Sequence, residues 1–463
     1  MGAWLLIGPA LAHPERYYVV GYNRTTYEYT RQLLPLFVPY GLALFAWRRG
    51  SRVPLWVLLA GAAVLHILVL FAPLPQSQDF YQYLYYGRMQ AAHGANPYLI
   101  APNTFWADPW LAWIRWSNQT SVYGPAWMLT TWGVAKAAGL SLARAFIMLK
   151  LIVIALDFAV MALIVRISRD RPEPARAAGW GILAYAWNPL ILISVPLGGS
   201  ADVALAAVIL GAILARRRGH TGLATVLLTL GALVKVYGII ALVLHLALVL
   251  RERGVKVAAK NALGGGAVMA AAYAPYWAGL RTFGGLFKAA GLTNQSLTGM
   301  VQRLLVTVLI HVFHYHTPHH GAEVMVRVVA GAVLLAVVAR AIVKVRSEQQ
   351  LWTLTLGVLA AYLYLTPWYL YWYAVAPLAM VAAMPKNRLT DPILTLTGTS
   401  LISIPSAYRL GNWIAQTVLR YVPPPAVFAA RRERARATRE SHEAKAPRDV
   451  QLPSPAVSRT AAR

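Results

Sequence analysis

The chain has 463 residues, 58% of them hydrophobic and 13% charged, with a mean hydropathy of +0.51, which excludes an ordinary soluble globular domain and points to an integral membrane protein. The formal charge of +27 comes from 43 Lys and Arg against 16 Asp and Glu, but the basic residues sit in short clusters between apolar runs, which argues against nucleic acid as a partner. There is no cysteine, so disulfides and thiolate metal sites are excluded.

The opening "MGAWLLIGPALA" lacks a basic start and runs into "HPERYY"; it reads as a partial helix and not as a cleaved signal peptide. Apolar runs of roughly 15 to 23 residues then recur to the far end of the chain and predict an all-α polytopic membrane protein of about 11 to 14 transmembrane helices. Residues 1–72 hold N-terminal helices, the last two near 33–47 and 53–72. "RRGSR" (48–52), "RISRDRPEPAR" (166–176), "RRR" (216–218), "RERGVKVAAK" (251–260), "RAIVKVR" (340–346) and "KNR" (386–388) read as cytoplasmic loops. The first large loop, 73–125, therefore faces outside. Its "QDFYQYLYYGRMQAAHGANPY" and "FWADPWLAWIRW" are rich in Tyr and Trp, as expected of short helices lying in the interface of the lipid bilayer.

Residues 126–408 form the transmembrane core. Two runs, near 126–140 and 145–166, lie between an outer Pro125 and an inner Arg166, so one of them is short, re-entrant or interfacial. The run 221–250 has basic loops at both ends and must go up and return, with "LVKVYG" (233–238) as its outer turn. The histidines of "HVFHYHTPHH" (311–320) are kept off one helical face by the proline and the loop position, and read as neutral imidazoles in an exposed loop before a metal site. Residues 409–429 are a last membrane or interfacial segment, and 430–463 a disordered basic cytoplasmic tail suited to anionic lipid. No internal repeat is evident.

The acids can be sorted by elimination. Four lie in the tail, and Asp170, Glu173, Glu252, Glu348 and Asp391 lie in cytoplasmic loops, which leaves Glu15, Glu28, Asp79, Asp108, Asp157, Asp202 and Glu323. Asp79 stands where lipid meets water and suits a general base, although on residue type alone a helix cap is the stronger reading. Asp202 begins a membrane helix after a Gly-Gly-Ser turn and admits the same two readings. Asp157 lies deeper, seven residues after Lys150, and the two read as a structural pair across neighbouring helices. Lys235, at the outer turn, suits a lipid phosphate, with snorkelling as the alternative. No GxxxxGK[ST], no GxGxxG between strand and helix and no soluble nucleotide domain is present; an outward site would need a donor that arrives activated through the membrane.

Five pieces, "DFYQYLYYGRMQAAHGANPY", "SVYGPAW" (121–127), "WNPLILISVPLGGSAD" (187–202), "LVKVYGIIAL" (233–242) and "TPWYLYWYAVAP" (366–377), with "NQSLTGMVQRLL" (294–305), carry a resemblance across residues 79–377. In this order they resemble the GT-C superfamily of polytopic glycosyltransferases that use polyprenyl-phosphate sugars, in particular bacterial mannosyltransferases of glycosyltransferase family 87 and the alpha-1,6-mannosyltransferase type. The resemblance implies a GT-C-like bundle in the bacterial plasma membrane and transfer of mannose from a polyprenyl-phosphate carrier to a glycan or glycolipid hydroxyl on the extracytoplasmic side, with inversion. It implies Asp79 as the catalytic base. Lys235, with Arg88 or Arg303, would hold the donor phosphate. Tyr81, Tyr85, Asn96, Tyr98, Tyr123, Asp202, Asn294, Gln295, Trp368 and Tyr369 would bind sugar or acceptor. Where such enzymes often have Gly-His-Asn-Asp, this chain has "GGSAD", which leaves the role of Asp202 open. No metal ligand is assigned, and a divalent cation stays open as a cofactor. Lys235→Ala is expected to cost turnover and to leave folding nearly intact. A lipid or glycan transporter or flippase is the alternative function, and a non-catalytic scaffold the third.

Overall fold

The structure is a computed structural model that describes residues 34–70, 78–139, 141–294, 296–315, 319–410 and 413–433. The expected partial helix at the N-terminus, Gln295, His316 and the tail beyond Glu433 lie outside the described residues; residues 423–433 are helical. The described residues form an all-α fold with no strand. In chain order the helices used below are α1 Phe37–Arg48, α2 Leu55–Leu70, α3 Gln78–His93, α4 Pro125–Ala138, α5 Leu142–Ser168, α6 Pro174–Tyr185, α7 Asp202–Arg217, α8 Thr221–Val234, α9 Ile239–Tyr273, α10 Leu297–His311, α11 His319–Lys344, α12 Glu348–Leu365, α13 Val375–Ala383 and α14 Thr390–Leu410.

Among the described residues, two helices are long and apolar enough to cross a membrane, Leu142–Ser168 and His320–Lys344, or three if α6 and the bent continuation Pro189–Leu197, at 56°, make one span. Leu55–Leu68, Thr221–Val234, Leu297–His311 and Tyr371–Ala383 are shorter apolar helices. The shortness has local causes. The run 221–250 breaks at Lys235, whose φ of −141° and ψ of 133° are those of a strand, and restarts through a 3-10 turn at Val236–Gly238. The two halves pack as a hairpin, as the flanking basic loops require. α4 has only 14 residues, about 21 Å of helix, and Gly139 turns the chain with φ +59°; α4 is the short member of the pair of runs before Arg166. Large apolar side chains stay exposed on α1, α2 and α11, among them Leu42, Phe45, Trp56, Ile67, Val328 and Leu335, a surface that suits lipid better than water.

The basic clusters meet at one end of the bundle. Arg217 reaches Asp170 and Glu348, each at 3.8 Å, and Arg216 pairs with Glu252. Arg48 and Arg431 both pair with Asp391. α7 runs from Asp202 to Arg217, about 22 Å, so its first residue lies at the opposite end from this ionic belt.

Asp157 does not pair with Lys150. Its Oδ2 lies 2.6 Å from His66 Nε2 on α2, and its Oδ1 accepts from the Tyr185 hydroxyl on α6 at 2.7 Å, with all three side chains buried. Two residues seven apart share one face of one helix and point in parallel, so Asp157 takes its partners from the helices that face it. Lys150 is buried with its ammonium 5.4 Å from the Phe146 ring centre.

Candidate active site

Among the described residues α3 begins at Gln78, and Asp79 lies in its first turn, where backbone amides favour negative charge. The Tyr123 hydroxyl donates to its Oδ2 at 3.2 Å. Burial pushes the Asp79 carboxyl up from the ordinary value; Lys235, Tyr123 and the Trp116 indole oppose that, and the nearby Asp202 charge adds to it. A carboxyl raised in this way is a stronger base than a solvated one.

Asp202 arrives through a π turn at Ile193–Leu197, which contains Pro196, and the two glycines that follow. Gly199 has φ +69°, and a Cβ on it would stand 2.0 Å from the Phe80 ring, so only glycine lets the turn lie against the start of α3. Asp202 is fully buried. Lys235 Nζ donates to its Oδ2 at 2.6 Å, Ser200 Oγ donates to the same oxygen at 2.8 Å, and the Tyr237 hydroxyl donates to Oδ1. A carboxylate this far from water is tolerable because each oxygen accepts at least one hydrogen bond, one of them from a cation.

Lys235 reaches this point from the α8 to α9 break, and the segment "SVYG" is fastened to the same break. Gly124 N–H donates to Val234 O at 3.0 Å, and the Tyr98 hydroxyl donates to Tyr123 O at 2.7 Å. Tyr83 meets the Tyr123 ring edge-on at 4.7 Å, and Lys235 Nζ lies 4.6 Å from the Tyr373 ring centre. A Cβ on Gly124 would stand 2.0 Å from Leu233 O. Gly124→Ala must therefore push Tyr123 away from Lys235, and we expect a loss of about 1–3 kcal/mol together with a fall in activity, read by thermal unfolding in detergent and a turnover assay.

The structure brings Asp79, Tyr123, Asp202 and Lys235 together, and the Trp368 ring meets that of Trp116 at 5.8 Å. Other expected residues have partners of their own. Tyr81 stacks on Trp113 at 5.4 Å, and the Tyr85 hydroxyl donates to Pro102 O at 3.4 Å. Asn96 donates to Tyr276 O and accepts from Tyr98 N–H, each at 3.0 Å. Asn294 Nδ2 donates to Tyr369 O and its Oδ1 accepts from Tyr369 N–H, while the Tyr369 hydroxyl lies 2.8 Å from Ser400 Oγ. Arg303 is exposed on α10. Ser200, Tyr237, Tyr373 and Trp116 escaped sequence reading; Tyr237 and Tyr373 stand inside motifs singled out there, among several aromatic residues that only packing can tell apart.

Arg88 stands nine residues beyond Asp79, about 13 Å along α3, and works elsewhere. Its Nε donates to both Asp108 oxygens, at 2.9 and 2.7 Å, and its guanidinium lies over the Trp110 ring. His93 Nε2 is 2.7 Å from Asp108 Oδ2, and Trp110 N–H donates to Oδ1. Burial pushes the Asp108 carboxyl up, but His93, the Trp110 amide and Arg88 outweigh it and hold the carboxyl below the ordinary value. A depressed carboxyl stabilises the fold above its unfolded value and loses that contribution as pH falls through the folded one. This clamp should hold loop 101–117 at neutral pH and release it only below the ordinary carboxylate range. Asp108→Ala should cost about 1.5–3 kcal/mol and speed hydrogen exchange in that loop at pH 7.

Among the described residues no three His, Asp or Glu are grouped as a metal site. Between Asp79 and Asp202, the positive charge comes from the Lys235 ammonium.

Residues 20–251, half of the chain, match the family described as alpha-(1→6)-mannopyranosyltransferase, N-terminal domain. No curated protein matches the chain. The matched segment contains Asp79, Tyr123, Asp202 and Lys235, and ends before Asn294, Arg303, Trp368 and Tyr373.

Proposed function

The chain belongs to the alpha-(1→6)-mannopyranosyltransferase family, and from that premise we propose that it is a polytopic GT-C-like enzyme of the plasma membrane. It moves mannose from a polyprenyl-phosphate carrier to a glycan or glycolipid hydroxyl on the extracytoplasmic side. One observation carries the reading: a half-buried carboxylate, Asp79, stands beside a cation, Lys235, at the end of the bundle opposite the ionic belt. By the positive-inside rule that belt is cytoplasmic, which puts Asp79 outside, where nucleotide sugars are scarce and a lipid-borne donor is the available one.

In the proposed step, the acceptor hydroxyl oxygen attacks the anomeric carbon from the face opposite the phosphate. The carbon–oxygen bond to phosphate breaks, polyprenyl phosphate leaves with the electron pair, and the hydroxyl proton passes to Asp79, so the linkage is inverted. Lys235 has three N–H donors, and Asp202 engages one of them; the others are available to the phosphate as its charge grows. Lys235 stands beside the base while Arg88 is engaged by Asp108, so the phosphate role is given to Lys235. Family membership favours a transferase over a transporter.

The test is transfer of radiolabelled mannose from purified polyprenyl-phosphate mannose, run against GDP-mannose as the rival donor. Use of GDP-mannose alone would defeat the donor reading. Because the base acts deprotonated and its carboxyl is raised, kcat/KM should fall on acidification at a pH above the ordinary carboxylate range. An acid limb at or below that range would remove Asp79 from the role.

A further inference from the structure

We propose that Trp116 is a positioning residue for the base and, with Trp368, the platform that receives the acceptor sugar ring. The inference rests on the function proposed above and adds a residue that it does not assign.

The placement comes from backbone as well as ring. Gln82, one turn after Asp79 on α3, accepts from Trp116 N–H through Oε1 at 3.3 Å and donates from Nε2 to Trp116 O at 3.5 Å. The peptide of Trp116 is thus tied to the helix that carries the base, and its indole favours the charged form of Asp79. Trp116 meets Trp368 with ring centres 5.8 Å apart at 75°, and both are only half-buried. Two wide rings set edge-to-face leave the open face of one ring for the C–H face of a pyranose to stack on, with the other ring as its side wall. They come from two distant segments, loop 101–117 and the loop after α12. A hydroxyl of a sugar seated there is directed at the carboxylate that must take its proton.

Asp79 faces Lys235, Asp202, Tyr123, Tyr83, Tyr86 and Tyr373. These are expected to stay in place when Trp116 is changed, since its ties to Gln82 are made by backbone atoms. Trp116→Phe keeps a ring but loses the N–H that favours the charged carboxylate. Its acid limb of kcat/KM should therefore move up by about half a unit to one unit, with acceptor KM changed less than threefold. Trp368→Ala should do the converse and raise acceptor KM about five- to tenfold with the acid limb in place. Trp116→Ala should show both effects, and the thermal midpoints should stay near wild type because the ties to Gln82 are made by backbone atoms.

The probe acceptor is a short alpha-(1→6)-linked mannose oligosaccharide, with the donor saturating. If Trp116→Phe and Trp116→Ala keep the wild-type acid limb and acceptor KM, or lose turnover only in step with thermal stability, the proposal is overturned. If wild type transfers nothing from polyprenyl-phosphate mannose, the donor reading fails separately. Binding of the same oligosaccharide by saturation-transfer NMR then decides the platform: loss of the signal in Trp116→Ala and Trp368→Ala supports it, and an unchanged signal overturns it.

Discussion

Asp79→Asn should lower kcat by about 10²- to 10⁴-fold while the protein unfolds at the wild-type temperature or slightly above it. Asparagine has the shape of aspartate and can still accept from the Tyr123 hydroxyl, so the pocket keeps its walls. What it loses is the ability to take a proton. The stability half of the prediction follows from the sign of the shift. A carboxyl whose folded value is raised, as burial raises Asp79, opposes folding wherever it is ionised, because charging it costs more in the folded chain than in the unfolded one. Removing that charge relieves the cost. A helix cap is tested by Asp79→Ala instead, since losing the capping oxygen typically costs about 1 kcal/mol whereas asparagine caps as well as aspartate. Transfer and thermal unfolding measured on equally purified proteins separate the two readings of Asp79 left open by residue type. Unchanged transfer in Asp79→Asn would move the base elsewhere; a midpoint lowered in Asp79→Ala, with transfer kept in Asp79→Asn, would return the cap.

The outline of this site was legible because its chemistry is rare in the chain. With 16 acids and most of them in basic loops or the tail, Asp79 and Asp202 stand out by elimination, and the basic ends of the 221–250 run force a break near Lys235. The structure puts the break at that residue. The partners were less legible. Asp157 and Lys150 share a helix face, which periodicity reports, but whether α2 and α6 bring His66 and Tyr185 to meet Asp157 depends on helix packing that no local pattern records. Arg88 shares a motif with Asp79 in sequence, yet nine residues of helix separate them. The close approaches that assemble the pocket depend on Gly124 and Gly199, and a glycine in sequence does not say whose backbone or ring it must admit.

Lys235→Ala is expected to cost about 3–5 kcal/mol of stability as well as turnover, which reverses the expectation from sequence that folding would be nearly untouched. On sequence Lys235 is a lone cation at an outer turn, free to be trimmed. In the structure its ammonium is the cationic partner of a carboxylate with no exposed surface. Truncation leaves Asp202 with only Ser200 and Tyr237 as donors, inside the hairpin that fixes the α8 to α9 break. Asp202→Ala leaves the opposite orphan, the ammonium of a lysine that is 7% exposed, and should be nearly as costly. The double variant Lys235→Met with Asp202→Asn removes both charges at similar volume. Its unfolding free energy in detergent should recover to within about 1–2 kcal/mol of wild type, since a buried ion pair adds little over a well-packed neutral one. Its transfer rate should not recover, because a thioether cannot offer N–H donors to a departing phosphate. Recovery of stability and activity together would make the pair a purely structural fastening and strip Lys235 of the phosphate role. Recovery of stability alone would separate the two roles of the ion pair, with Asp202 orienting the lysine and Lys235 acting on the donor.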